Sequence, residues 1–268
     1  MSLALDERQQ SMLREMGVRW FPSAAAGAAD PLGSSEPSRK LAIPAPVNAP
    51  NSVRPVPQAM TDTPRASGRP LSGGPAIELL EWDALAQTVV ECRACALCEG
   101  RRNTVFGAGD RQADWLIVGE APGENEDLQG EPFAGQSGVL LDNMLKALGL
   151  NRRQKVYLAN VLKCRPPGNR NPEPQELTQC EAFLRRQVTL LQPRIILAMG
   201  RFAVQSMLQS SEPIGKLRGR VHRYNGVPLV VTYHPAYLLR NLPDKGKAWA
   251  DLCLALEVLE QPAQASPS

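Results

Sequence analysis

Apolar positions along the chain follow two alternating periods from about residue 77 onward. Short unbroken apolar runs at residues 114–118, 156–162, 194–199 and 227–232 read as buried strands, because no polar residue alternates with the apolar ones over most of their length. Between and around them the apolar residues recur at helical spacing. This predicts helices over 77–90, from Ser137 to Leu148 with Gly149 as its stop, over 173–191, over 202–208 and over 247–259. Strand followed by helix, four times over, predicts an α/β fold: a three-layer α/β/α sandwich around a central, mostly parallel four-stranded sheet.

The stretch GEAPGENEDLQGEPFAGQSGVLL, beginning at Gly119, interrupts this rhythm with a long glycine-punctuated loop between the first strand and its helix. In α/β folds, ligands bind at such strand ends. Two other features fall at a strand end or within a strand: Asn160 inside the second strand, and Tyr233-His234-Pro235 after the fourth.

Composition changes the picture at the N-terminus. Residues 23–75 hold ten of the 24 prolines and no aromatic residue, so they cannot bury enough apolar surface to offset their ordering entropy. The expected organisation is a short amphipathic segment over 1–22, a disordered linker over 23–75, one domain over 76–260 and a tail over 261–268. The segment 3–20 is a candidate docking peptide for a protein partner, since ahead of a long linker it has nothing of its own to pack against. Acidic and basic residues at positions 6–8 break any secretory signal, and no apolar run is long enough to span a membrane, so a cytoplasmic monomer is expected.

Charge is less informative. The net charge is +3, and residues 76–260 carry 22 basic against 21 acidic residues. Nucleic-acid contacts would have to come from local clusters: Arg152-Arg153-Lys155, Lys163-Cys164-Arg165 with Arg170, and Lys216-Arg218-Arg220-Arg223.

Cysteine spacing carries a stronger signal. Cys92, Cys95 and Cys98 form a C-x2-C-x2-C run, which aims neighbouring thiolates at one point as zinc or an iron–sulfur cluster requires. A further ligand has to come from elsewhere in the chain, and Cys164 and Cys180 bracket a loop able to close over such a centre. Cys253, among leucines on the last helix, reads as core.

Other residues point to a small-molecule pocket. Phe133 stands among small residues, an unsuitable place for a core aromatic, and reads as a ring held out to stack on something flat. Asn160 in an apolar strand must find partners, since an unpaired buried amide costs about 1 to 3 kcal/mol. Its amide complements a nucleobase edge. His234, fixed by Pro235, reads as functional, and His222 as surface. The acids Glu120, Glu124, Glu126 and Asp127 either share a divalent ion or supply one carboxylate to orient water; the absence of a nearby His in the sequence favours the second.

Together the Gly119 loop, the KCRPPGNRNP segment around Cys164 and HPAYLLR from His234 resemble the type-4, iron–sulfur uracil-DNA glycosylases over about residues 88–259. The resemblance implies a [4Fe–4S] cluster on Cys92, Cys95, Cys164 and Cys180, with Cys98 a neighbour that is not a ligand. It also implies a uracil pocket of Gly119, Glu120, Ala121, Phe133, Asn160 and His234, with Glu126 among the substrate-contacting residues. His234, Glu120 and Asn160 would carry the chemistry on uracil-containing DNA, single- or double-stranded. Ala134 and Ala236 stand where the family commonly has Val and Ser. An electron-transfer or redox-sensing module, or a nucleic-acid-binding accessory protein without catalysis, would need the cysteines or the charge but not the Phe133, Asn160 and His234 set.

Overall fold

The computed structural model describes residues 76–260; the docking peptide, the linker and the tail fall outside the described residues. Six strands run in chain order: β1 (Ala108–Gly109), β2 (Trp115–Gly119), β3 (Val156–Asn160), β4 (Ile195–Met199), β5 (Val221–Tyr224) and β6 (Val227–Thr232). The helices are α1 (Trp82–Glu91), α2 (Leu97–Gly100), α3 (Glu124–Gln129), α4 (Gln136–Ala147), α5 (Pro174–Leu191), α6 (Arg201–Leu208), α7 (Ile214–Leu217), α8 (Pro235–Leu238) and α9 (Lys245–Glu260).

The spatial order is β1-β3-β2-β4-β6-β5. The inner four strands are parallel, as their unbroken apolar runs require, and every residue of β2, β3 and β4 is buried. Alternate residues then feed two cores. Trp115, Ile117, Leu158 and Leu197 pack with α4 and α9, while Leu116, Val118, Ala159 and Ile196 pack with α5 and α6. Buried apolar side chains of this size each contribute roughly 1.5 to 3 kcal/mol, so the two layers hold the sheet from both sides.

The sheet is six-stranded where four strands were expected, and both additional strands are antiparallel edges. β1 has only two residues, too short for a periodic signal. β5 turns into β6 through Asn225 and Gly226, at φ 47° and 82°. That dipeptide is the usual type I′ hairpin signal. The expected 77–90 helix begins instead with a 3₁₀ turn, Ile77–Leu79, ahead of α1. The strand expected over 156–162 ends at Asn160, which therefore closes β3 rather than lying inside it.

Among the parallel strands, the first two in the chain go one way across the sheet and the next two the other, so the direction of winding reverses between β2 and β4. Register brings Gly119 opposite Asn160 and Met199 opposite Thr232, aligning the carboxyl ends of all four. None of the described helices is long and apolar enough to cross a membrane.

Candidate active site and cysteine-lined cavity

Gly119 is where the strand ends meet. A Cβ on it would stand 2.4 Å from Asn160 Oδ1 and 2.7 Å from Phe133 Cζ, so only glycine lets these two side chains converge over the end of β2. Asn160 is 3% exposed, and its amide has no hydrogen-bond partner among the described residues. Its backbone is held firmly: Val161 N–H donates to Gly119 O at 3.0 Å, and Leu162 N–H to Glu120 O at 3.1 Å.

Phe133 is buried at 3% exposure and joins the α4/α9 core, so it is not held out as its small neighbours suggested. One face stacks on His234, with ring centroids 5.6 Å apart and planes 21° from parallel. Its backbone is left-handed at φ 54°, a conformation that costs an L-residue roughly 1 to 2 kcal/mol. The following turn accommodates it. At Gly138 an added Cβ would lie 1.7 Å from Phe133 O, and Arg152 Nη2 donates weakly to both Phe133 O and Gly138 O at 3.4 Å.

His234 follows β6 and caps α8, whose first residue is Pro235. Ala236 N–H donates to its Nδ1 at 3.2 Å, which leaves the ring proton on Nε2. Burial, helped by Arg240, pushes its pKa down to about 4, so the imidazole is neutral at physiological pH. Gly200 gives the ring room: at φ 91°, its missing Cβ would approach His234 Cβ to 3.1 Å. Beneath the loop, Tyr233 stacks on Tyr237, and the Arg218 guanidinium lies 4.9 Å from the Tyr233 ring centre while pairing with buried Asp251 at 2.7 Å.

Glu120 continues from Gly119. Burial raises its carboxyl to about 7, against an opposing pull from Arg201. Ala121 packs instead beside Leu162, Cys164 and Cys180. Glu126 has a local partner, since its Oε2 accepts the Gly123 N–H at 3.1 Å and closes the N-terminus of α3. Asp127 likewise accepts from Arg102 N–H at 2.9 Å. These two acids are therefore occupied in holding loops.

The cysteines gather at a second place, from three segments of chain. Cys92 follows α1, Cys95 precedes α2 and Cys98 lies within it, Cys164 follows β3 by four residues, and Cys180 is on α5. With Arg101 they line one small cavity of about 20 Å³. Arg101 Nη1 donates to Cys164 Sγ at 3.0 Å, and its Nη2 to Val90 O and Cys92 O at 2.7 and 3.0 Å. Burial raises the thiols of Cys95 and Cys164 and pushes Cys180 up to about 12. Among the described residues, no three His, Cys, Asp or Glu stand close enough to hold a metal ion between them. Cys98 faces the cavity too, and Cys253 packs against the α4/α9 core.

The basic clusters are largely spent within the protein. Lys163 is buried at 1% exposure, Arg170 pairs with Glu176, Arg152 with Asp142, Arg218 with Asp251 and Arg220 with Glu212. Arg153, Lys216 and Arg223 of the same clusters are exposed, so of the residues expected to meet phosphate it is Lys163 that is removed from the surface. Arg201 and Arg240, in no cluster, are the exposed cations whose fields reach Glu120 and His234. Nothing in the sequence marks either, because each is a lone basic residue, and Lys163 reads as surface in its basic cluster until its burial is seen.

Residues 106–253 match the uracil DNA glycosylase superfamily. The chain is 42% identical over 170 residues to the type-4 uracil-DNA glycosylase of Saccharolobus solfataricus, covering 60% of this chain and 78% of that one. Against the type-4 uracil-DNA glycosylase of Thermotoga maritima it is 41% identical over 166 residues, covering 61% and 85%. Similarity to the type-5 uracil-DNA glycosylase of Pyrobaculum aerophilum is lower, 27% over 191 residues, covering 59% and 83%.

Proposed function

The chain belongs to the uracil DNA glycosylase superfamily, in its type-4 branch, and on that premise we propose that it hydrolyses the N-glycosidic bond of deoxyuridine in DNA, releasing uracil and leaving an abasic site. The observation that carries this reading is the buried Asn160, whose amide makes no hydrogen bond to another described residue, meeting Phe133 over Gly119 while Phe133 stacks on a neutral His234.

A duplex hides the glycosidic bond, so the nucleotide must be extruded into the site. Asn160 then meets the uracil edge with one acceptor and two donors. Cytosine presents an amine where uracil has a carbonyl, and an amide set for uracil would meet it donor to donor. As the C1′–N1 bond breaks, its electron pair goes to the base, and His234 Nε2–H donates to a carbonyl oxygen that gains charge. One such donor is typically worth about 2.7 to 4 kcal/mol. Water adds to C1′ and its proton passes to the Glu120 carboxylate, and from there neutralises the departing uracil anion. Glu120, poised near neutrality, orients that water and steadies the positive sugar. Phe133 offers a flat apolar wall, Gly119 allows close approach, and Glu126 holds the loop that follows it. Arg201 and Arg240 supply positive potential for the DNA backbone.

Cys92, Cys95, Cys164 and Cys180 would hold a [4Fe–4S] cluster. The fit rests on sulfurs arranged round a space rather than meeting at a point, with the buried thiols near cationic Arg101 and Lys163. When bound, the cluster supplies a cross-link between α1, α5 and the turn after β3. The chain works as a monomer with residues 76–260 as its catalytic domain, and the 3–20 segment docks a protein partner. Incubating the purified chain with a uracil-containing oligonucleotide, single- or double-stranded, followed by alkali, should cut the strand at the uracil. An intact strand would refute the activity.

A further inference from the structure

Asn160 and Cys164 are four residues apart, so the base-reading site and the cysteine cavity share one stretch of backbone. Inside that stretch lies Lys163, whose side chain turns into the protein. Its Nζ donates to Asn160 O at 2.9 Å, to Gln187 Oε1 at 2.7 Å and to Phe106 O at 3.2 Å. Gln187 Nε2 donates to the same Phe106 O at 3.0 Å, which fixes its amide orientation and closes the network. Three oxygen acceptors match the three donors of an ammonium group. A buried cation costs several kcal/mol unless its geometry is well matched, and an aliphatic side chain of similar length would fill the volume without that cost.

The Asn160 amide makes no hydrogen bond to another described residue, so where it stands depends on how its backbone is held. Pairing with Gly119 fixes one side of that backbone, and Lys163 takes the carbonyl on the other. Gln187 lies two turns beyond Cys180 on α5, so the same ammonium ties β3 to the helix that forms one wall of the cavity. Val105 N–H donates to Lys163 O at 2.8 Å, adding the loop that follows α2.

We propose that Lys163 is a positioning residue for base reading: its ammonium fixes the carbonyl of Asn160, and with it the backbone position from which the Asn160 amide reaches the base. The proposal rests on the assignment of Asn160 as the uracil reader. Its test is a mutant cycle in the full-length protein, with single-turnover uracil release, iron content and thermal midpoint measured for each variant. Lys163→Met should retain iron and lose rate by about tenfold in a wild-type background, yet by less than about twofold in an Asn160→Ala background. A residue that merely supports the fold would give the same fold-loss in both. Equal losses, or a Lys163→Met enzyme at the wild-type rate, would overturn the proposal. Should Lys163→Met fail to fold or lose iron, Gln187→Leu removes one anchor of the ammonium and leaves the cysteines and Lys163 in place. It should show a smaller loss that again disappears in Asn160→Ala, and a wild-type rate or a persisting loss would overturn the role. Wild-type protein that releases no uracil refutes the glycosylase reading instead, whatever the cycle shows.

Discussion

At the strand ends, Gly119, Asn160 and Glu120 take their places from parallel backbone pairing that continues past the strands into Val161 and Leu162. Around the cysteines, the walls are the end of α1, the four-residue α2, a turn and one face of α5. Sheet register holds the first region whether or not a ligand is present. The second is assembled from pieces that share few backbone hydrogen bonds and that carry costly unspent thiols, so it depends far more on what fills it. Changes at the strand ends should therefore alter chemistry with little effect on folding, and changes among the cysteines should do the reverse.

The largest effect that could break this contrast is at His234. His234→Ala should lower single-turnover uracil release by about 10²- to 10³-fold, the usual consequence of removing one aimed donor, with the thermal midpoint nearly unchanged. A midpoint that dropped together with the rate would mean that the pocket is no more independent of folding than the cavity. Next comes Glu120, raised to about 7 by burial. If its carboxylate is the working form, only about a tenth is ionised at pH 6 and about nine-tenths at pH 8, so the rate should climb about tenfold across that range. His234, near 4, stays neutral throughout and adds no slope. Glu120→Gln should flatten the profile, and a persisting slope would assign it to another group.

The smallest expected effect sharpens the other side. Cys98→Ser should keep about four irons per chain, whereas Cys164→Ser should lose iron and solubility. Colorimetric iron counting on anaerobically purified protein decides between them. Iron loss in Cys98→Ser would place Cys98 among the ligands, as its position facing the cavity allows.

Legibility in the sequence followed the same division. Unbroken apolar runs announced the four parallel strands because burial on both faces leaves no room for polar residues. Asn160 stood out as a polar group inside one of those runs, and His234 as one just past the end of another. Phe133 was misjudged for a physical reason: its chain neighbours are small, but the residues that bury it come from α4 and α9, far away in sequence. Lys163 was misread for the converse reason, since a charge between Leu162 and Cys164 looks exposed until Gln187 arrives from α5 to meet it. The β5–β6 hairpin was legible in Asn225-Gly226, but four residues carrying His222 and Arg223 did not look like a strand.

Those antiparallel margins also bear on how copies of the chain behave at high concentration. A parallel sheet left open at its sides would invite a strand from another molecule and so seed self-association. Here one margin is a two-residue strand, too short to template a partner, and the other is a hairpin whose outer strand carries exposed Arg223. A second molecule seeking to extend the sheet would meet almost no ladder on one side and fixed positive charge on the other.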